Sequence, residues 1–149
     1  MRTVRLDFSP APTHVRTARL VAVAVARRAG VADELLDEIR LAVGEACSRA
    51  VALHQKHSIQ DLVEVEITDG ARFTVRVYDR APTETQIPRT SVLDPDDLVV
   101  EAADLSAAEP FVDTSVGVGL ALLTGLVDDL SVAPRTDGPG NTVSMSWAL

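Results

Sequence analysis

A single cysteine, Cys47, stands in a chain of 149 residues, so no disulfide framework can form within it and no cysteine-based metal site either. Set among Ala and Val in a helical stretch, it reads as a small buried hydrophobe. Long apolar runs are also missing. Hydrophobic residues make up 46% of the chain, but charges interrupt every window of about 18 residues, so none can cross a bilayer as a helix. The start, Met1-Arg2-Thr3-Val4-Arg5-Leu6-Asp7, alternates too early to hold the apolar region of a cleaved signal, and a cytoplasmic location is expected. Basic residues are in deficit: 14 Lys and Arg against 22 Asp and Glu give a net charge of -8. That field repels phosphate backbones and argues against direct nucleic-acid binding. What remains suits one domain over 1–149, large enough to bury a core unaided, with proteins or a metal-escorted nucleotide as its partners.

The patterning divides this domain into elements. Val4, Leu6 and Phe8 alternate with Arg5 and Asp7, a half-buried strand that Pro10 and Pro12 end. From about Thr13 the apolar positions Val15, Ala18, Ala22, Val25 and Ala29 follow helical spacing, and Gly30 supplies a C-cap. Asp33 is the expected N-cap of a second helix with the stripe Leu36, Ile39, Val43, Ala46, Ala50 and Leu53. Glu45 and Arg49 lie one turn apart on its more polar flank. Val63, Val65 and Ile67 then form a hairpin with Phe73, Val75 and Val77. A three-residue turn, Asp69-Gly70-Ala71, sets Ile67 opposite Phe73, Val65 opposite Val75 and Glu64 opposite Arg76.

After Asp79 the periodicity is lost. The stretch at about 80–116 carries Pro82, Pro88 and Pro95 and an acidic run, and reads as a lid, a binding loop or a solvated spacer. Within it Asp94-Pro95-Asp96-Asp97 has the chemistry of a helix start. Gly117-Val118-Gly119-Leu120 opens a further helix, with Leu120, Leu123, Val127 and Leu130 on one face and its end near Asp129. Strands over Ser131-Val132-Ala133 and Asn141–Trp147 follow, joined through Asp137-Gly138-Pro139-Gly140. The order implies an α+β fold: a two-layer sandwich whose mixed, mostly antiparallel sheet is covered on one face by about three helices.

Two glycines opening a helix leave backbone amides unshielded where the helix dipole favours anions, which suits a phosphate. Alone they are as consistent with a plain turn. The helix box Leu41–Val51, the strand Val75-Arg76-Val77-Tyr78-Asp79, the pair Gly117-Val118-Gly119-Leu120 and Gly140-Asn141-Thr142-Val143 nevertheless occur in an ordered set. In that order and spacing the chain resembles the anti-sigma factor and serine-protein kinase family with a histidine-kinase-like (GHKL) ATPase domain, over essentially its whole length.

The resemblance implies ATP as cofactor. It implies that Asp79 accepts a hydrogen bond from the adenine amino group and that the amides of Gly117, Val118, Gly119 and Leu120 approach the phosphates. Thr142 lies near the adenine, and Glu45 is the general base that takes the proton from a substrate serine. The implied partners are a sigma factor and an anti-anti-sigma protein, and a homodimer is expected. Without the resemblance, Asp79 is a strand-end turn former and Glu45 an exposed helix acid.

Two departures from the family pattern change the expected function. Arg49 stands where the family has a magnesium-binding Asn, and a guanidinium has five donors, no acceptor and a permanent charge. It cannot bind the metal. Either it pairs with Glu45 at i,i+4 and silences the base, or it reaches the phosphates and replaces part of the magnesium charge. Downstream of Asp79 the family glycines give way to Arg80-Ala81-Pro82, and Pro82 fixes a dihedral and removes an amide donor. The expectation is an anti-sigma-type regulator that binds its partners through a degenerate ATPase-like domain; the alternative is an active ATP-dependent serine kinase. His54 and His57, three apart and near Cys47, raise a metal site, but surface histidines at a helix end are the commoner arrangement, and His14 reads as surface too.

Overall fold

The computed structural model describes residues 1–82 and 123–149. Among the described residues five strands form one sheet in the order β1-β2-β3-β5-β4: β1 (Arg2–Phe8), β2 (Val63–Asp69), β3 (Arg72–Asp79), β4 (Asp129–Pro134) and β5 (Asn141–Ala148). Every pairing is antiparallel. Alternation decides what each face carries. Val65, Ile67, Phe73, Val75, Val77, Val143, Met145 and Trp147 turn inward and join one core with α1 (Val15–Arg28) and α2 (Asp33–Lys56), while Glu66, Thr74, Arg76 and Ser144 occupy the opposite, polar face. The result is an α+β two-layer sandwich.

Helix ends follow from local chemistry. Gly30, at φ 84°, lets α1 close in a Schellman arrangement in which the Gly30 N–H donates to the Arg27 carbonyl and the Val31 N–H to the Ala26 carbonyl, both at 3.1 Å. Asp33 is the first residue of α2 rather than its N-cap, which is Ala32 with no side-chain cap bond. Its carboxylate, with that of Glu34, sits in the first turn, and Lys56 lies in the last, the polarity that complements the helix dipole. Gly44 marks a close approach of the two helices, because a Cβ there would meet Arg19 Cδ at 2.8 Å.

Two further expectations are corrected. The hairpin pairs Ile67 with Val75, Val65 with Val77 and Glu66 with Arg76, a slip of two residues from the expected register. An even slip leaves every side chain on its face, so the alternation that fixes faces cannot fix register. The turn sits one residue further along the chain than expected and is closed by a hydrogen bond from the Gly70 N–H to the Arg72 carbonyl at 3.2 Å. This register sets Glu66 between Arg5 at 2.9 Å and Arg76 at 3.5 Å. The second correction concerns Leu130. Helix is described over 123–126 and gives way before β4 begins at Asp129, so Leu130 enters the core from a strand. Leu130 and Val132 satisfy a period of two as well as Leu123, Val127 and Leu130 satisfy a helical one. Trp147 fixes the junction by donating its indole N–H to the Leu126 carbonyl at 2.9 Å.

Candidate functional site

Among the described residues the buried polar or charged side chains are Arg49, His54, Asp79 and Asn141, and they converge on one place. Arg49 and His54 come from the C-terminal half of α2, Asp79 from the last residue of β3 and Asn141 from the first of β5. Asp79 and Asn141 are paired across the strands. His54, Asp79 and Asn141 are hydrogen-bonded, as burial of polar groups requires, and Arg49 lies in an ion pair with Asp79.

Both carboxylate oxygens of Asp79 face groups of the protein itself. Its Oδ1 accepts from the Ala81 backbone N–H at 2.9 Å and from Asn141 Nδ2 at 3.1 Å, and its Oδ2 faces Arg49 Nη1 at 3.5 Å. Both side chains of that ion pair are shielded, at 1% and 2% exposure. Asn141 Nδ2 also lies 3.3 Å from the Ala81 carbonyl. Ala81 itself is buried against Leu53, so the segment that leaves β3 is held down on the end of α2.

His54 secures the same segment from the other side. Its Nδ1–H donates to the Asp61 carbonyl at 3.1 Å, and its Nε2 accepts from the Arg80 backbone N–H at 2.9 Å. One nitrogen donates and the other accepts, so the ring is neutral in a fixed tautomer. Burial lowers its pKa from the ordinary value, against the opposing pull of the Asp79 charge and the Asp61 carbonyl. The expectation of a surface histidine is therefore corrected for His54, whereas His14 is exposed. Two residues from the end of α2, the side chain can still point inward; only the packing of the 79–82 segment decides it.

The turn between β4 and β5 closes the rim. Gly140 has φ +130°, and a Cβ there would overlap the backbone carbonyl of Asp79. Arg135 forks onto Asp137 at 2.9 and 3.1 Å, reaches Glu64 at 2.8 Å and lies over the Tyr78 ring at 5.1 Å. Arg80 adds a contact to Asp137 at 3.6 Å and donates to the Pro139 carbonyl at 3.3 Å.

Of the residues named from sequence, Arg49 and Asp79 are brought into contact. Glu45 is half-buried on α2, and among the described residues the carboxylate paired with Arg49 is that of Asp79, not the Glu45 expected from helical spacing. Thr142 pairs with Tyr78 and shares the polar face of the sheet, while its neighbour Asn141 turns to Asp79. Gly117, Val118, Gly119 and Leu120, and almost all of the lid-like stretch, lie outside the described residues. Asn141 and His54 were missed as site residues. The Gly140-Asn141-Thr142 box was the available signal for Asn141; nothing local distinguishes His54.

This geometry does not fit magnesium at position 49, since the guanidinium offers only donors where the metal needs an oxygen. It constrains an adenine as well. Oδ1 of Asp79 already accepts two hydrogen bonds, and an amino group approaching Oδ2 must displace or share Arg49.

The family model of the histidine kinase-like ATPase domain matches residues 8–147, a span that takes in α2, β3 and β5 and hence every member of the buried cluster. No curated protein matches the chain.

Proposed function

The chain belongs to the histidine kinase-like ATPase domain family, an ATP-binding family, and from that premise we propose that it is an anti-sigma-type regulator. It binds a sigma factor, an anti-anti-sigma protein or both through a domain whose nucleotide pocket has degenerated. The observation that carries this reading is the buried Arg49–Asp79 pair. A cation supplied by the protein, from the helix position where the resemblance expects a magnesium-binding Asn, sits against the carboxylate that would recognise adenine. The clamped segment Arg80-Ala81 supports it further, because His54 and Asp79 hold by hydrogen bonds the backbone that flexible glycines would leave free.

Titration with a fluorescent ATP analogue, with magnesium and with chelator, tests the nucleotide part. Wild-type protein binds weakly and without regard to magnesium, and Arg49→Asn raises the affinity and makes it magnesium-dependent. No gain in that variant places the obstruction at Ala81 and Pro82 as well. Tight, magnesium-dependent binding by the wild type that Asp79→Asn abolishes would overturn the degenerate reading. The partner part is tested by affinity capture from native lysate with identification by mass spectrometry, and recovery of neither partner class counts against it.

One observation favours the alternative, an active serine kinase that phosphorylates an anti-anti-sigma protein. With Arg49 turned to Asp79, the half-buried Glu45 stays outside that ion pair and keeps the lone pairs a general base needs. Transfer of the ATP γ-phosphoryl to a partner serine, lost in Glu45→Gln, would establish it; the expected result is no transfer.

A further inference from the structure

On its polar face, opposite α1 and α2, the sheet carries a cavity of about 260 Å³ lined by side chains of β1, β2, β3 and the turn after β4. Sites for drug-sized ligands run to roughly 300–1,000 Å³, so this one suits a single side chain. Four carboxylates line it, Asp7, Glu64, Glu66 and Asp137, against two guanidiniums, Arg5 and Arg135. Glu66 is engaged by Arg5 at 2.9 Å and by Arg76 at 3.5 Å, and Asp137 by the fork of Arg135. Asp7 and Glu64 are left. They stand directly opposite each other across β1 and β2, and like charges so placed destabilise a ladder. Arg135 touches this pair once, at Glu64 Oε1. Among the described residues Glu64 Oε2 and both carboxylate oxygens of Asp7 have no donor.

The protein itself shows what this surface accepts. The Arg135 guanidinium lies 5.1 Å from the centre of the Tyr78 ring and is gripped by Glu64 from one side and Asp137 from the other. Only 7% of that side chain is exposed. Burial, and then the Glu66 charge, hold the Tyr78 hydroxyl above its ordinary pKa, so it stays protonated and donates to Glu66 Oε1 at 3.5 Å. The rest of the cavity repeats the combination of aromatic ring and carboxylates, with Asp7 and one oxygen of Glu64 unengaged. Opposed residues have Cβ atoms about 4.5–5.5 Å apart, a spacing that lets two carboxylates share the planar donors of a guanidinium. An ammonium is a point charge without that fork. A metal is a poorer fit, since no group of three His, Cys, Asp or Glu among the described residues could hold one. The net charge of -8 draws cations to the surface as a whole.

We propose that this cavity is a docking site for an arginine side chain presented by a partner protein, with the guanidinium bridging Asp7 and Glu64 beside Tyr78. The opposed like charges are a local conflict that the bound cation resolves. The proposal depends neither on the state of the nucleotide pocket nor on the anti-sigma reading.

A nuclear magnetic resonance titration of the full chain with the peptide acetyl-Gly-Arg-Gly-amide tests it. The backbone amide signals of Asp7, Glu64 and Tyr78 shift with a millimolar affinity that weakens as salt is raised. The same peptide with citrulline, which keeps the shape of arginine without its charge, does not bind, and the lysine peptide binds about threefold or more weakly. Asp7 is exposed, so Asp7→Asn folds as the wild type does, checked by circular dichroism, and it weakens the arginine peptide by about threefold or more. Asp129→Asn, on the same face but paired with Arg72 at 2.8 Å, leaves the affinity unchanged. The proposal is overturned if the three signals ignore the arginine peptide, if the citrulline or lysine peptide binds as well, or if Asp7→Asn binds like the wild type.

Discussion

Burying the Arg49 guanidinium together with the Asp79 carboxylate means that neither can be removed alone without leaving a charge short of its partner. Asp79→Ala is expected to lower stability by about 3–5 kcal/mol. The double variant Arg49→Met/Asp79→Ala loses less than the sum of the two single variants, measured as a denaturant double-mutant cycle. His54 gives a pH dependence. Its folded pKa lies below the ordinary 6.5, first because of burial, so as pH falls below about 6.5 the unfolded chain takes up a proton that the folded chain refuses. The stabilisation by neutral His54 is therefore full above that value and is lost as pH falls towards the folded pKa. The urea midpoint drops between about pH 7.5 and 5.5, and His54→Gln flattens the change. Cys47 is buried in apolar surroundings that push its thiol up to about 12. At about pH 8 the folded protein resists alkylation, and the thiol reacts only on unfolding. The oddity of Arg49 was legible from residue type alone. Its partner was not, because helical spacing offers Glu45 four residues away while Asp79 is brought close only by packing.

At the scale of elements, the turn from β4 to β5 and the end of β3 form one unit. Gly140 lies on the Asp79 carbonyl at a φ that other residues resist, so Gly140→Ala combines strain with a backbone clash and is expected to cost more than about 2 kcal/mol. The thermal midpoint checks it. Gly30→Ala is the control: its φ is also positive, but nothing lies within 4 Å of the added Cβ, so the loss is only about 1–2 kcal/mol. Helices α1 and α2 and every strand of the sheet were legible, because each buries one face and shows its period. Register and the end of the helix before β4 were not. A slip of two residues preserves the pattern, and Leu130 fits both periods, so only the hydrogen bond closing at Gly70 and the anchor of Trp147 on Leu126 choose.

For the whole molecule, the sheet's antiparallel order leaves β1 at one edge and brings the ends of β3 and β5 together beneath α2. That topology is why four residues distant in sequence share one buried site. No helix among the described residues is long and apolar enough to cross a membrane. The sequence by itself determined the α+β layering, the order of the elements and the replacement at position 49, since burial period and residue chemistry are local properties. Only the tertiary structure decided that Arg49 faces Asp79 rather than Glu45, that His54 and Asn141 complete the cluster, and that Asp7 and Glu64 are opposed on the polar face of the sheet. Those relations are distances between elements, and they exist only once the core has closed.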